Sequence, residues 1–316
     1  MSPICDWLTG VHRYRIPVRS TEGGRIMKID RDGCIEWERR DWEQIRCPSS
    51  DTSLRIRCDG EKLQFSGNVG RFQQTDNVKG IGVVQCVERF GGILRDLGFD
   101  VRMFGSVLSQ GTVAESGTTI SRVDLAGNFK VSDYKAWSTI LLQRPIFRRQ
   151  PRLGKYGPTW GYESRRANWW KAKVYDKQAE QDGKRGPYDG ATLARFEIQL
   201  GSEYLKREGL NYLNVWNQKS EGEDMAQVIY GRFLNEIQRE QVGVEDWSEI
   251  PFRLRTYAIL WRDGQLPQMS RSTFFRVRSR LKDYGIDISV PCNVLSLSKR
   301  VRSIDLVQVD ALRQVA

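Results

Sequence analysis

Residues 118–129, TTISRVDLAGNF, together with 169–177, WWKAKVYDK, and 193–200, LARFEIQL, carry the reading of this chain. Each has apolar side chains at every second position, the period of a half-buried β-strand rather than of a helix. In the first, Val123 and Leu125 share one face, while Arg122, Asp124 and Ala126 lie on the other. In the third, Phe196, Ile198 and Leu200 form the apolar side and leave Arg195, Glu197 and Gln199 opposite. In the second, Val174 shares a face with Ala172, and Lys173, Tyr175 and Lys177 point the other way. If these strands are neighbours in one sheet, one face holds two carboxylates, a tyrosine and several cations.

Outward from these strands the pattern is mixed. The first sixty residues alternate short apolar–polar runs with Asp-Gly turns, which predicts antiparallel strands and hairpins. Val83, Val87, Phe90, Ile93, Leu94 and Leu97 fall at helical spacing, and Gly98 supplies a C-terminal stop. A strand is expected at DVRMFGSVL (100–108), a second helix from about Asp133 to Leu142, and then a basic loop, RPIFRRQPRLGKYGPTWG (144–161). After Gly209 the chain turns mainly helical, with one helix on a Val228, Ile229, Phe233 and Ile237 stripe, another in FRLRTYAILWRDG, and a third opening at Ser270. The expected class is α+β: an antiparallel sheet with helices on one side over 1–220, followed by a smaller, mainly helical domain over 221–316.

Composition removes several alternatives. The 316 residues are enough for two domains, and no run approaches the roughly 18 apolar residues of a membrane span. The start, MSPICDWLTG, lacks a basic region followed by an apolar stretch, so no secretory signal is expected. The six cysteines form no C-x-x-C pair and are expected as free thiols. The only histidine is His12, which excludes a two-histidine metal site. Any metal therefore rests on oxygen ligands, which suits Mg2+ or Mn2+ better than Zn2+. A net charge of +11 favours a polyanionic partner, because cations that neutralise phosphates release condensed counterions.

The polar face of the three strands has the parts of a phosphoryl-transfer site. Asp124 and Glu197 are the candidate ligands of a hard divalent cation, with Asp6 and Glu163 as further acids for a third position. Tyr175 is the candidate nucleophile; a phenol with a pKa near 10 is weak until positive charge stabilises its oxyanion. Lys177 is placed for that role, and Arg122 and Arg195 for holding phosphate oxygens. Tyr162, in the preceding loop, is a possible second nucleophile. The competing reading is a set of amphipathic strands whose polar face is simply wet.

In order, CDWLTGVHRYRIP, FSGNVGRFQQTDNVKG, TTISRVDLAGNF, TWGYESRRANWWKAKVYDKQAE, LARFEIQLGSEYLKREGL and, more weakly, SRSTFFRVRSRLKDYGIDI resemble the replication initiators of filamentous bacteriophages (the gene II protein type), and more distantly those of rolling-circle plasmids. The resemblance implies a nicking enzyme that cuts one strand of a double-stranded origin. Its tyrosine becomes linked to the 5′ phosphate, a 3′ hydroxyl is left for a host polymerase, and the displaced strand is later joined into a circle. It also implies phage or plasmid origin DNA, double- and single-stranded, as substrate, a host helicase as partner, no membrane association, and the cytoplasm of a bacterial host as location. Carried over by motif, Tyr175 and Lys177 are the catalytic pair and Asp124 and Glu197 the metal-holding acids. Gly67, Asn68, Arg71 and Asn77 keep the small, Gly-rich character of the second stretch, with Arg71 toward the DNA backbone.

The helix opening at Ser270 puts Phe274, Val277, Leu281 and Tyr284 on one stripe and Arg271, Arg276, Arg278, Arg280 and Lys282 around the rest. With the preceding helix and the Gln265-Leu266-Pro267 turn this predicts a helix-turn-helix or winged-helix-like unit presenting arginines to DNA. Two rivals stay open: a non-enzymatic, repressor-like DNA-binding protein on the same fold, and a tyrosine recombinase or topoisomerase, which the lone histidine fits poorly.

Overall fold

The computed structural model describes residues 3–14, 16–47, 52–74, 80–101, 117–131, 133–162, 169–180, 192–216, 218–220, 223–238, 250–262, 268–284, 286–289 and 307–308. The strands are β1 (Ile4–Arg13), β2 (Arg25–Ile29), β3 (Ile35–Arg40), β4 (Glu43–Arg46), β5 (Ser53–Cys58), β6 (Lys62–Gly67), β7 (Thr118–Val131), β8 (Pro151–Leu153), β9 (Pro158–Trp160), β10 (Trp170–Asp176), β11 (Thr192–Leu200), β12 (Lys219–Ser220), β13 (Glu223–Asp224) and β14 (Val307–Gln308). The helices are α1 (Val83–Asp96), α2 (Tyr134–Leu141), α3 (Lys177–Glu180), α4 (Ser202–Arg207), α5 (Leu213–Trp216), α6 (Met225–Gln238), α7 (Phe252–Arg262) and α8 (Arg271–Lys282).

Among the described residues, one antiparallel sheet runs in the order β4-β5-β6-β1-β7-β11-β10-β9-β8, with β14 also paired to β7. The three runs that opened the sequence reading are therefore adjacent: β7 pairs with β11, and β11 with β10. The α+β expectation holds. Val123, Leu125, Phe129, Phe196, Ile198 and Val174 are buried in one large core, joined by Phe90 and Leu94 of α1 and Tyr204 and Leu205 of α4. The helix predicted by the Val83–Leu97 spacing is α1, and Gly98 follows it at φ 78°, a conformation open to glycine. The strand expected at 100–108 lies almost wholly outside the described residues.

Helix α6 lies beyond the expected boundary near Ser220, yet its packing belongs to the sheet. Ile229, Tyr230, Phe233 and Ile237 are buried in the large core, each contributing roughly 1.5–3 kcal/mol. Val228, expected on the same stripe, is only half-buried. The approach of α6 depends on Gly127, where a Cβ would meet Tyr230 Oη at 2.5 Å. A second, smaller cluster gathers Ile250, Ala258, Val277, Leu281, Ile286 and Ile288 around α7 and α8. Ser270 caps α8 by accepting from the Thr273 N–H, as its position before the apolar stripe predicts. The turn expected at 265–267 is outside the described residues. No helix among the described residues is long and apolar enough to cross a membrane.

Candidate active site

Strand register builds the site in rows, because residues directly opposed in antiparallel strands share a face. Tyr175 stands opposite Arg195, and Arg195 opposite Asn128. The next row is Lys173, Glu197 and Ala126, and the one after is Lys171, Gln199, Asp124 and Trp7. Asp124 and Glu197 are thus one diagonal step apart on the face opposite the core. Alternation sets the side of its strand that each takes, and the pairing of β7 with β11 brings the two strands together.

Tyr175 is only 7% exposed, and its hydroxyl donates to Glu197 Oε2 at 3.3 Å. The other oxygen of Glu197 is held by Lys173 Nζ at 2.9 Å. Lys173 also lies 5.1 Å from the Tyr175 ring centroid and Lys177 5.7 Å. Burial pushes the Tyr175 phenol up; Arg195 opposes that shift, and the charge of Glu197 adds to it. Burial works against the Lys173 ammonium, but the charge and hydrogen bond of Glu197 hold its pKa above the ordinary value.

Lys177 departs from the expected strand position. It begins α3 rather than extending β10, is buried, and is ion-paired with Glu180. Burial and then the charge of Arg195 lower its pKa. It sits against the ring of Tyr175, while Lys173 is the lysine paired to the carboxylate that accepts from the hydroxyl.

Arg195 is fully buried, so it backs the tyrosine rather than meeting a phosphate at the surface. Its Nη2 donates to Asp6 Oδ1 at 3.3 Å, while Nε and Nη1 have no hydrogen-bond partner among the described residues. Burial opposes the charge, but Asp6, Tyr175 and Glu197 together hold the guanidinium protonated. Asp6 reaches this face through an irregularity in β1, where the pairing to β7 skips from Cys5 to Trp7. A bulge of this kind re-aims one side chain without ending the strand. Asn68 Nδ2 also donates to Asp6 Oδ1, at 3.0 Å. The FSGNVGR stretch thus contributes Asn68; Arg71 is half-buried and its backbone N–H donates to Asn68 Oδ1. Asn77, from the same stretch, lies outside the described residues.

Arg122 forks onto Asp124, with Nε to Oδ1 at 2.8 Å and Nη2 to Oδ2 at 2.6 Å, and its guanidinium lies over the Trp7 ring. Burial pushes the Asp124 carboxyl up to about 6 despite that fork, and the charges of Glu197 and Asp6 push the same way. Each of the three acids already faces a cation: Asp6 pairs with Arg195, Asp124 with Arg122 and Glu197 with Lys173. Among the described residues no three His, Cys, Asp or Glu side chains form a ready metal cluster. An ion held by Asp124 and Glu197 would complete its shell with phosphate oxygens and water, as Mg2+ commonly does. Glu163, the other acid considered for a third ligand, lies outside the described residues.

Tyr162 follows β9, with Lys171 Nζ 5.1 Å from its ring centroid. It lines the same cleft as Lys173 and Tyr175, so the structure brings it to the same face, where burial pushes its phenol up. In the helical cluster, Arg271, Arg276 and Arg280 are exposed. Arg278 is instead forked onto Asp287 at 2.6 and 2.7 Å. Lys173, two residues before Tyr175, shares its face by alternation, but its role comes only from the ion pair with Glu197, which spacing does not reveal. The position of Asp6 on this face is invisible in the sequence, because a bulge leaves no mark in alternation.

Two family models match the chain. The one for the N-terminal part of the phage replication-associated protein, the gene II product, matches residues 5–219, and the one for the C-terminal part of the same protein matches residues 252–314. The replication-associated protein of Enterobacteria phage I2-2 is 24% identical to this chain, covering 90% of it and 88% of the relative. That of Escherichia phage If1 is 24% identical, covering 78% and 90% respectively.

Proposed function

Because this chain belongs to the gene II family of phage replication-associated proteins, which are replication initiators, we propose that it nicks one strand of origin DNA by transesterification on Tyr175. The observation that carries the reading is the hydrogen bond from the Tyr175 hydroxyl to a carboxylate, Glu197, which is itself held by Lys173. The phenol oxygen attacks phosphorus, the bond to the 3′ oxygen breaks, and a 5′-phosphotyrosine and a free 3′ hydroxyl result. Glu197 lies on the path of the departing phenol proton. A buried phenol needs nearby positive charge to ionise, and Arg195, Lys173 and Lys177 surround this one. Mg2+ or Mn2+ held by Asp124 and Glu197 would neutralise charge developing on the phosphate oxygens. The 3′ hydroxyl then primes a host polymerase with a host helicase opening the duplex, and reversal of the transfer closes the displaced strand.

The test is nicking of a supercoiled plasmid bearing the phage origin. The unaltered chain should convert it to open circles in Mg2+ and leave a covalent DNA–protein adduct, whereas Tyr175→Phe should give neither. A chelator should stop the reaction, and Mg2+ or Mn2+ should restore it. Undiminished nicking by Tyr175→Phe would move the nucleophile elsewhere, with Tyr162 the first position to examine. Origin binding with no nicking by the unaltered chain would favour the repressor-like reading.

A further inference from the structure

The hairpin formed by β8 and β9 presents exposed apolar side chains that the sheet does not explain. Leu153 is 73% exposed and Tyr156 57%, and Lys155 Nζ lies 4.9 Å from the Tyr156 ring centroid. The turn is firmly held. Gly154 N donates to Gly157 O at 2.8 Å, and Tyr134 Oη donates to Tyr156 O at 3.0 Å. Gly157 sits at φ 145°, where a Cβ would fall 2.2 Å from Tyr134 Oη and 2.4 Å from Val174 O. The backbone from which the Tyr156 ring projects is therefore fixed on both sides.

Register carries one row of side chains from this hairpin to Glu197, the carboxylate bonded to the Tyr175 hydroxyl. Arg152 stands opposite Thr159, Thr159 opposite Lys173, and Lys173 opposite Glu197. The row runs to the sheet edge over about 14 Å, at ~4.8 Å per strand. Between the hairpin and Tyr175 lies a cleft of about 580 Å³ whose lining includes Arg152, Lys155, Tyr156, Tyr162 and Lys173. Glu180, the acid in that lining, is ion-paired with Lys177.

We propose that this cleft binds the single-stranded DNA flanking the cut, with its backbone along Arg152, Lys155 and Lys173 and one base stacked on Tyr156. Cations that track a backbone beside an exposed aromatic ring are the recurring recipe for single strands. A base paired within a duplex is already stacked on its neighbours and offers no free face to the tyrosine. The proposal rests on the Tyr175 reading only for where the strand is cut.

Fluorescence anisotropy tests it, using the full chain carrying Tyr175→Phe, a labelled single-stranded 15-mer of mixed sequence, and the same sequence as duplex. Tyr156→Ala should weaken single-strand binding roughly tenfold and leave duplex binding unchanged. Tyr156→Phe, which keeps the ring, should bind like the parent, and Lys155→Ala should show a loss that added salt erases. Unchanged single-strand binding in Tyr156→Ala, or an equal loss on single strand and duplex, would overturn the proposal. These readouts involve no cleavage, so a failure of the Tyr175 assignment would appear in the nicking assay alone.

Discussion

Around Tyr175, stability and chemistry draw on the same charges. Arg195 is a fully buried cation whose acidic hydrogen-bond partner, Asp6, reaches it only because β1 is irregular at that point. Removing one member of such a pair leaves a charge with neither water nor counter-charge, which costs more than the pair itself contributes. Asp6→Ala should therefore lower the unfolding free energy by about 3 kcal/mol, the lower end for a broken buried pair, since Asp6 retains some exposure. In chemical denaturation, Asp6→Ala combined with Arg195→Met should recover most of that loss. If the double variant is as unstable as the sum of the two single ones, the pair is not coupled and Arg195 is held by other groups.

Among the elements, α6 shows how a helix read from periodicity acquires its address from a single residue on another strand. Its apolar stripe predicts burial but not against which partner. Gly127 on β7 leaves room for Tyr230, whose hydroxyl donates to Phe196 O at 3.0 Å and ties the helix to β11. Gly127→Ala would drive a methyl into that hydroxyl, and overpacking of this kind costs roughly 1–3 kcal/mol. The urea midpoint should fall with the slope of the transition unchanged, and adding Tyr230→Phe should restore part of it. No shift in the midpoint would mean that α6 can move away from the sheet without loss. The β10–α3 junction shows the converse: alternation through WWKAKVYDK continued to Lys177, but Asp176 Oδ1 accepts from the Ala179 N–H and begins a helical turn one residue early.

At the scale of the molecule, the arginines of the described residues include some paired with an acid and others left exposed. Arg122, Arg195 and Arg278 are committed to Asp124, Asp6 and Asp287, while Arg276 and Arg280 on α8 are exposed. If α8 meets the DNA backbone, Arg276→Ala with Arg280→Ala should reduce the slope of log affinity against log salt by about 2, one per lost phosphate contact. Filter binding of duplex origin DNA across a salt series measures it, and an unchanged slope would remove these two residues from the interface. Arg278→Ala should act differently, loosening the α7–α8 cluster by removing the fork on Asp287 and leaving Lys282 as its cation, with little effect on that slope.

The strand faces, including the side of its own strand that each of Tyr175, Asp124 and Glu197 takes, the Gly98 stop after α1, the Ser270 cap of α8 and the exclusion of a histidine metal site were legible in residue order, whereas the pairing of β7 with β11 and of β11 with β10 that gathers the three side chains was not. The legible features depend on alternation, local capping and composition, which are short-range properties of the chain. Which lysine holds Glu197, the arrival of Asp6, the burial of Arg195 and the docking of α6 were not legible. Each turns on register, a bulge or the space beside a glycine, and these are settled only when residues far apart in sequence, such as Asp6 and Arg195, are packed against one another. The chemical character of the site face is written along the chain, whereas the pairing of its charges is a property of the folded sheet.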